Sequence, residues 1–356
     1  MRVLVNAMPA RGGGGMTYVL EELSGLERAL DPGMTMTVLA APWNVGELRG
    51  RLDSPVTEIA VRSVFSRYAF EQVRLPFLSR ANDVLYCPLN FGPLLPIPTP
   101  VIVTLHNAKY FGAARSKYQA GGGWNARARL IASDLGLRWS TSLQCVSESL
   151  LLEVRRDFPQ LAIRAFANPS GGPRWPVESS RPTTLVPDRF VLTVGIAPHK
   201  RLVDVIRAWA EARERHHSVG DLVIVGGMMP SESVEAHSSA GHGIHQIGYL
   251  TDRAELRWLY EHAQAVVCLS EVESFSMVVQ EARSLGCPVV ASDIPAHREV
   301  ADESVRFGQV GDWHGASSQI VEVVAGPRVR FGAPPFGWSW DDHASRLLQR
   351  LLGVCK

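Results

Sequence analysis

The stretch ESFSMVVQE occupies residues 273–281, and GCPVVASD follows it at residues 286–293. Before it, the apolar run AVVCL at residues 265–269 predicts a buried strand. Residues 277–285 predict a helix, and residues 289–291 predict the next buried strand. A strand, a short loop, a helix and a second strand in this order predict a parallel α/β unit.

Two glutamates frame this loop and helix. Glu281 is expected about two helical turns beyond Glu273, which is ~12 Å along a helix axis. Between them, the backbone N–H groups of residues 275–278 are expected to be free at a helix N-terminus, where an anion is favoured. Two hydrogen-bond acceptors with a phosphate-binding helix start between them suit a ligand that has hydroxyls at both ends and phosphates in the middle. A nucleotide sugar is such a ligand.

The same residues carry a family resemblance. The spacing E-x7-E, continued by E-A-x-x-x-G-x-P-V-V-A-S-D up to Asp293, resembles the donor site of the GT4 family of retaining glycosyltransferases. The resemblance implies the GT-B fold, an α/β fold with two Rossmann-like doubly wound domains facing a central cleft. The family often has E-G-F-G where this chain has ESFS at residues 273–276. By the resemblance, the two serines would narrow the space near the donor sugar or add hydroxyl contacts to it.

The rest of the chain fits two such domains. Short apolar runs alternate with helical patterns in both halves, as in parallel sheets covered on both faces. Residues 1–172 are expected to form an N-terminal acceptor-binding domain, and residues 173–188, rich in Pro, Gly and Ser, a linker. Residues 189–336 are expected to form the C-terminal donor-binding domain. The resemblance implies that a helix in residues 337–356 crosses back to the N-terminal domain.

Composition limits the class of protein. The 356 residues are 46% hydrophobic and 20% charged, with a net charge of +1, which fits a globular protein and gives no attraction to nucleic acid. The five scattered cysteines indicate a reducing compartment. No apolar run is long enough to span a membrane, and the first residues enter a strand, so neither an anchor nor a signal peptide is expected. A cytoplasmic location is predicted. Arginines and aromatics at residues 67–80 leave peripheral contact with the inner membrane face open.

Lys200 is the second candidate site residue. It lies in VGIAPHKR at residues 194–201, between a predicted strand and a helix. Gly195 allows a tight turn, and an ammonium group there would hold a pyrophosphate and stabilise it as a leaving group. The family has a similar G-x-x-x-P-x-K element, often with an arginine where this chain has Ile196, and Arg201 is the candidate to replace it. The alternative is a solvated lysine at a helix N-terminus.

His106 is the third candidate. It ends the apolar run at residues 101–105, at the edge of a sheet where doubly wound folds bind ligands. The family has a similar T-x-H-D element whose histidine lies near the donor sugar, but Asn107 replaces the aspartate here. The resemblance leaves two roles for His106, chemical or orienting, and a hydrogen-bonded histidine at the edge of the core is the alternative. Asn107 and Tyr110 are predicted to bind the acceptor.

Backbone contacts to the donor are predicted at two further places. Gly14 and Gly15 belong to a glycine run that lacks the dinucleotide fingerprint but resembles a family loop approaching the donor phosphates. The alternative is a turn that serves only chain flexibility. Ile247 lies in QIGYL at residues 246–250, which resembles the segment whose backbone reads the nucleobase.

The resemblance therefore implies a retaining glycosyltransferase. A UDP-, GDP- or TDP-linked sugar would be the co-substrate, and a saccharide, a lipid or a small natural product would be the acceptor. Neither a cofactor nor a metal is expected, since the sequence has no D-x-D triplet and no zinc-ligand spacing. Two alternatives remain: a sugar phosphorylase or synthase on the same fold, and a nucleotide-sugar-binding protein without turnover. The predicted catalytic residues are His106, Lys200 and Glu273, and the predicted donor-binding residues are Gly14, Gly15, Gly195, Lys200, Arg201, Ile247, Glu273, Ser274, Phe275, Ser276, Met277, Val278 and Glu281.

Overall fold

The structure is a computed structural model that describes residues 1–184, 186–227, 242–250, 252–326 and 339–355. The chain divides into two compact units. One comprises Met1–Gly171 together with Gly337–Lys356, and the other comprises Gly172–Phe336. Each unit is built on one parallel sheet.

The first unit has a seven-stranded sheet. Its strands are β1 (Arg2–Asn6), β2 (Thr35–Ala40), β3 (Val56–Glu58), β4 (Val84–Cys87), β5 (Val101–Leu105), β6 (Ser142–Cys145) and β7 (Ala165–Ala167). Their order is β3-β2-β1-β4-β5-β6-β7, so the direction of strand succession reverses between β1 and β4. The central strands β4 and β5 are buried along their whole length because helices cover both faces of a parallel sheet.

Eight helices belong to the described part of the first unit, apart from short 3-10 turns. They are α1 (Gly14–Ala29), α2 (Val45–Arg49), α3 (Val64–Val73), α4 (Leu75–Ser79), α5 (Gly112–Gly121), α6 (Gly123–Trp139), α7 (Glu148–Asp157) and α13 (Trp340–Val354). Helix α13 packs directly on α1, and a Cβ atom on Gly25 would lie 2.9 Å from the carbonyl oxygen of Trp340. The last described helix of the chain is thus part of the unit that contains its first strand.

The second unit has a six-stranded sheet. Its strands are β8 (Phe190–Val194), β9 (Asp221–Val225), β10 (Ile244–Ile247), β11 (Val266–Cys268), β12 (Val289–Ser292) and β13 (Val305–Gly308). Its described helices are α8 (Leu202–Arg215), α9 (Arg253–His262), α10 (Met277–Ser284), α11 (Pro295–Glu299) and α12 (Trp313–Ala325). The order β10-β9-β8-β11-β12-β13 reverses between β8 and β11.

Alternate residues of these strands fill two separate apolar cores. Phe190 and Leu192 of β8 join the cluster beside α9 and α10, whereas Val191 between them joins the cluster beside α8 and α12. Successive side chains of a strand point to opposite faces, so a strand buried on both faces must be apolar throughout. This is why the short apolar runs of the sequence predict these strands.

The stretch predicted as a linker, residues 173–188, belongs to the second unit and packs on its core. Trp175 donates from Nε1 to the hydroxyl of Ser284 at 2.8 Å, and Ser179 donates to Glu261 at 2.6 Å. Val186 is 1% exposed and lies in the core beside α10. Proline and glycine content indicates irregular backbone, but it does not reveal that apolar side chains between the prolines dock on a neighbouring core.

Candidate active site

Two loops of the second unit meet where its strand order reverses. One follows β8 and contains Gly195 and Lys200, and the other follows β11 and contains Glu273. Strands β8 and β11 are neighbours in the sheet. In an open α/β sheet, ligands bind in the crevice just outside the carboxyl ends of two such strands.

Gly195 and Lys200 lie in contact within the first loop. Gly195 has a φ of +94°, a conformation that glycine adopts without strain, and a Cβ atom there would lie 3.2 Å from Cε of Lys200. Residues Pro198–Lys200 form a 3-10 turn closed by the bond from the Lys200 N–H to the carbonyl of Ala197, at 2.7 Å. The turn directs the lysine back over Gly195 rather than into solvent.

Lys200 forms an ion pair with the first glutamate of the E-x7-E motif. Its Nζ lies 2.6 Å from Oε1 of Glu273, and the two side chains are only 18% and 11% exposed. The hydroxyl of Ser270 donates to the same oxygen at 2.7 Å. The structure therefore brings together two of the three predicted catalytic residues, and Lys200 is not the solvated surface lysine of the alternative interpretation.

Burial and charge oppose each other in this pair. Burial alone would lower the pKa of Lys200, but the adjacent Glu273 carboxylate raises it above its ordinary value. Burial alone would raise the pKa of Glu273, but the Lys200 ammonium lowers it. Both groups are therefore charged at neutral pH.

The start of helix α10 differs in part from the prediction. The N–H of Met277 donates to the carbonyl of Phe275 at 3.2 Å, so the predicted set of free N–H groups at residues 275–278 is wrong for Met277. Ser276 is the N-cap residue, yet its hydroxyl does not cap the helix. That hydroxyl is buried and has no hydrogen-bond partner among the described residues. A buried hydroxyl without a partner at a helix start is suited to a ligand oxygen.

Glu281 lies inside the unit rather than on a helix surface. It is 5% exposed, Oε1 accepts from Nη1 of Arg253 at 2.7 Å, and Oε2 accepts from the hydroxyl of Tyr260 at 2.8 Å. The guanidinium of Arg253 stacks over Trp175, 4.3 Å from the ring centroid. Because α10 begins at Met277, the expected separation of Glu273 and Glu281 by two helical turns does not hold.

Arg201 and Ile247 have local roles in the fold. Arg201 adopts a left-handed conformation, with φ at 51°, and its Nε lies 2.5 Å from Asp204. Its Nη1 lies 3.7 Å from Glu271. Two carboxylates thus neutralise the cation that was the candidate to replace the family's arginine. Ile247 is 2% exposed, and its carbonyl accepts from the N–H of Gly226 at 2.9 Å.

In the first unit, the glycine run starts helix α1 earlier than predicted. The sequence predicts a turn over residues 12–15 and a helix from about residue 17, but the helix begins at Gly14. Gly13 is its N-cap, with φ at 83°, and its carbonyl accepts from the N–H groups of Met16 and Thr17 at 3.0 and 3.2 Å. Gly14 and Gly15 therefore form the first turn of α1, directly after β1 at the strand-order reversal of this sheet.

His106 lies at the end of β5, as predicted, and packs against Tyr18. The two rings meet edge to face, with centroids 4.1 Å apart. The backbone N–H of His106 donates to Oδ1 of Asn90 at 2.7 Å. Burial lowers the pKa of His106 to about 4, although the nearby Glu22 carboxylate acts in the opposite direction. His106 is therefore neutral at neutral pH.

This shift predicts a dependence of stability on pH. The folded pKa of about 4 lies below the ordinary 6.5, so the unfolded chain binds more protons between these values. The free energy of unfolding that depends on neutral His106 is fully present above pH 6.5. It decreases by about 2–3 kcal/mol, for a partly exposed ring, as the pH falls to 4. Urea unfolding of the wild type and of His106→Gln at several pH values measures it, and the wild type should lose more stability. Parallel losses in both proteins would contradict the shift.

Asn107 and Tyr110 have structural contacts of their own. Asn107 caps the 3-10 turn Ala108–Tyr110 by accepting from the N–H of Lys109 at 3.2 Å. Tyr110 is 4% exposed, and its ring centroid lies 5.9 Å from that of Phe91 and 5.7 Å from that of Tyr118. Tyr110 thus offers little surface to an acceptor in this conformation.

A buried polar network next to His106 escaped the sequence interpretation. Glu22 of α1 is fully buried and accepts from the hydroxyls of Tyr18 and Tyr86 at 2.9 and 2.6 Å and from Gln144 at 2.7 Å. Nε2 of His343 on α13 lies 2.8 Å from the same carboxylate. Burial opposes ionisation, but the hydrogen bond from His343 holds the pKa of Glu22 below its ordinary value. The only sequence signals were polar residues at core positions of a helix and of β6.

Comparison with solved structures defines the fold class. Sucrose-phosphate synthase from Thermosynechococcus elongatus aligns with a TM-score of 0.74 at 16% identity, over 100% of both chains. WaaG, a glycosyltransferase involved in lipopolysaccharide biosynthesis, aligns with a TM-score of 0.66 at 14% identity, over 100% of this chain and 97% of that one. The two parallel α/β sheets are those of the GT-B fold, and the predicted fold class is confirmed.

Sequence comparison points to a family within that fold class. Residues 179–330 match the family model for glycosyl transferases group 1. Glycogen synthase of Mycobacterium tuberculosis is 28% identical over 218 residues, which are 60% of this chain and 50% of that protein. D-inositol 3-phosphate glycosyltransferase of Mycobacterium leprae is 33% identical over 108 residues, or 27% of this chain and 25% of that protein. The chain spans half the length, or less, of these curated relatives. Residues 179–330, which match the family model, contain Lys200, Glu273 and Glu281.

Proposed function

We propose that this protein is a retaining, metal-independent glycosyltransferase that moves a sugar from a nucleotide-diphosphate sugar to an acceptor hydroxyl. The observation that carries the proposal is the buried ion pair between Lys200 and Glu273 at the strand-order reversal of the second unit. It lies in the region that matches the group 1 family. A buried cation beside a helix start is an arrangement that stabilises a departing diphosphate.

Each residue of this site has a proposed role. The ammonium of Lys200 carries three donors, so it can contact a diphosphate oxygen while it keeps its bond to Glu273. The Glu273 carboxylate would accept a hydroxyl of the donor sugar. Residues 274–278 would line the phosphates with the Ser276 hydroxyl and with their N–H groups, except that of Met277, which is bonded to the carbonyl of Phe275. Neutral His106 would orient the sugar. In the first unit, Gly14 and Gly15 present no side chain, so their backbone would approach a phosphate. Asn107 and Tyr110 would contact the acceptor after their own side chains rearrange.

The test is turnover with defined donors. The purified protein is incubated with UDP-, GDP- and TDP-linked sugars and with saccharide, lipid and small-molecule acceptors, in the presence of a chelator. Nucleotide release that depends on acceptor, with a product whose anomeric configuration equals that of the donor by NMR, is the expected result. Inverted product or dependence on added metal would overturn the corresponding part of the proposal.

Glu281 is proposed to bind the ribose hydroxyls. A hydrogen bond to a charged group contributes about 1.5–3 kcal/mol, so Glu281→Gln should weaken nucleoside-diphosphate binding by ~10–100-fold, measured by calorimetry. Glu261→Gln is the matched control, because Glu261 accepts from Arg257 at 2.7 Å in the same unit but on another helix. An unchanged Kd for Glu281→Gln, or equal losses in both variants, would refute the role.

A nucleotide-sugar-binding protein without turnover is the second candidate. Ile196 stands where many family members have an arginine, and Arg201 is already paired with Asp204 and Glu271. The leaving diphosphate therefore has one fewer cation available. Tight donor binding with intact donor after long incubation would favour this candidate. Product analysis with and without phosphate separates a phosphorylase or synthase from both.

We also propose a cytoplasmic location. Cys87, Cys145, Cys268 and Cys287 are buried and unbridged, as expected in a reducing compartment. Within the part of the chain that the structure describes, none of the helices has the length and apolarity needed to cross a membrane. Exposed Phe65 on α3 and Phe77 on α4 would serve a peripheral membrane contact.

A further inference from the structure

Three side chains that can ligate a metal lie close together, and one of them is Glu273 of the Lys200–Glu273 ion pair. Cys268 ends β11, Glu273 lies in the following loop, and His297 lies on α11. One ligand atom of each lies within 4.8 Å of the ligand atoms of the other two. Cys268 and His297 are 4% and 0% exposed. His297 is 24 or more positions from the other two residues, and the three show no zinc-ligand spacing, which is why the sequence did not reveal them.

Hydrogen bonding fixes the orientation of the His297 ring. Nδ1 lies 2.7 Å from the backbone carbonyl oxygen of Ser292, which can only accept a hydrogen bond. Nδ1 therefore carries a proton, and Nε2 faces Sγ of Cys268 at 3.5 Å. Metal-binding histidines are held in the same way, with the second ring nitrogen donating to a carbonyl or carboxylate.

The spacing of sulfur and nitrogen fits a tetrahedral zinc ion. Zinc bonds of about 2.3 Å to sulfur and 2.0–2.1 Å to nitrogen, at a tetrahedral angle, place the two ligand atoms ~3.5 Å apart. The observed distance between Sγ of Cys268 and Nε2 of His297 is 3.5 Å. The distance between these two ligand atoms would therefore not need to change when zinc binds.

Glu273 can supply the third ligand while it keeps its present partners. Lys200 and Ser270 both bind Oε1, which leaves Oε2 to approach an ion. The positive charge of Lys200 opposes metal binding. Two negative groups offset it, the Glu273 carboxylate and the Cys268 thiolate. The thiolate forms because the Cys268 thiol releases its proton to the solvent when its sulfur bonds to the metal. The Glu281 carboxylate also acts on Lys200.

We propose that Cys268, His297 and Glu273 form a binding site for a soft divalent cation, with Zn²⁺ as the best match. The nitrogen, sulfur and carboxylate set with one open position is a donor set that zinc accepts. The ion would inhibit rather than assist, because it occupies the carboxylate that is proposed to hold the donor sugar. That consequence rests on the proposed glycosyltransferase function, but the binding site does not.

Binding is tested without any substrate. Co²⁺ is titrated into the full chain with a non-thiol reductant, and Zn²⁺ affinity is measured by competition with a chromophoric chelator. A thiolate-to-cobalt charge-transfer band with tetrahedral ligand-field bands is expected for the wild type, and zinc should displace both. Cys268→Ala should remove the band, and His297→Gln should weaken zinc binding by at least ~10²-fold.

Cys287→Ala is the matched control. Cys287 is another buried cysteine of the second unit, and its thiol faces the carbonyl of Ala263 at 3.8 Å. This variant should keep the cobalt band and the zinc affinity of the wild type. If His297→Gln does not fold, Cys268→Ser removes the soft ligand at nearly constant volume. A band that is absent from the wild type, or that persists in folded Cys268→Ala or Cys268→Ser, would overturn the proposal.

Inhibition is tested in a second experiment. Where donor turnover is found, Zn²⁺ should inhibit the wild type and Cys287→Ala, and Cys268→Ala should need at least ~10²-fold more zinc for half inhibition. Equal inhibition of all three would place the inhibitory ion elsewhere. If turnover is never found, the proposed function fails while the cobalt experiment still decides the metal site.

Discussion

Lys200→Ala is expected to reduce kcat by at least ~10²-fold, the scale found when one preorganised charge stabiliser is removed. The proposed role of Lys200 is to neutralise charge that develops on the diphosphate as the sugar departs, so the loss should appear in kcat more than in KM. Steady-state kinetics with the donor identified by the turnover screen measures it. An unchanged kcat in a folded variant would remove Lys200 from the chemistry.

This variant needs a control for folding, because it leaves the Glu273 carboxylate buried without its cation. Lys200→Met combined with Glu273→Gln removes both charges, so it should regain thermal stability but no activity. Arg213→Ala is a matched surface control in the same unit, since Arg213 pairs with Asp221 at 2.8 Å and is 39% exposed. It should keep the wild-type kcat. Activity recovered by the double variant would show that Lys200→Ala acts through misfolding.

His343→Leu is expected to destabilise the first unit by about 3–5 kcal/mol, because it removes one partner of a buried ion pair. Both ring nitrogens of His343 face acceptors, Nε2 at 2.8 Å from Glu22 and Nδ1 at 2.9 Å from the carbonyl of Pro169. Hydrogen exchange of the backbone amides in α1 and α13 should accelerate by more than ~10²-fold, which corresponds to ~3 kcal/mol.

The same two helices provide a matched exposed pair. Arg28 of α1 and Asp341 of α13 lie 2.6 Å apart, with side chains 49% and 59% exposed. Arg28→Ala should cost less than about 1 kcal/mol, since solvent screens an exposed ion pair. Adding Glu22→Gln to His343→Leu should recover part of the loss, because no buried charge then remains unpaired. Equal effects of Arg28→Ala and His343→Leu would contradict the assigned weight of the buried pair.

The fold class could be predicted from the sequence because its signal is local. Strands buried on both faces, such as β8 and β11, are short continuous apolar runs whatever they pack against. The loop before α10 could also be predicted, because the E-x7-E spacing lies within one strand, loop and helix. The start of α1 was less accessible, since glycine weakens the helical pattern in the sequence even where the chain is helical.

The contacts of the site could not be predicted, because they join residues that are distant in sequence. Glu281 is paired with Arg253, 28 positions away, and no helical periodicity reports that contact. Cys268 and His297, 29 positions apart, were assigned separately to a core strand and to no role. The burial of Glu22 could not be predicted for a different reason. A single carboxylate in an amphipathic helix is expected to be solvated until its buried partners are known.

The packing of α13 on α1 has a consequence for the order in which the protein is made. A ribosome synthesises β1 and Glu22 early, and residues 172–336 of the other unit next, before it reaches His343. Until then, the nascent first unit lacks the His343 partner of Glu22, and its surface around Gly25 is uncovered. The second unit is contiguous in the chain and can acquire its structure in the meantime. Of the two units, the one that contains β1 is thus the one completed last.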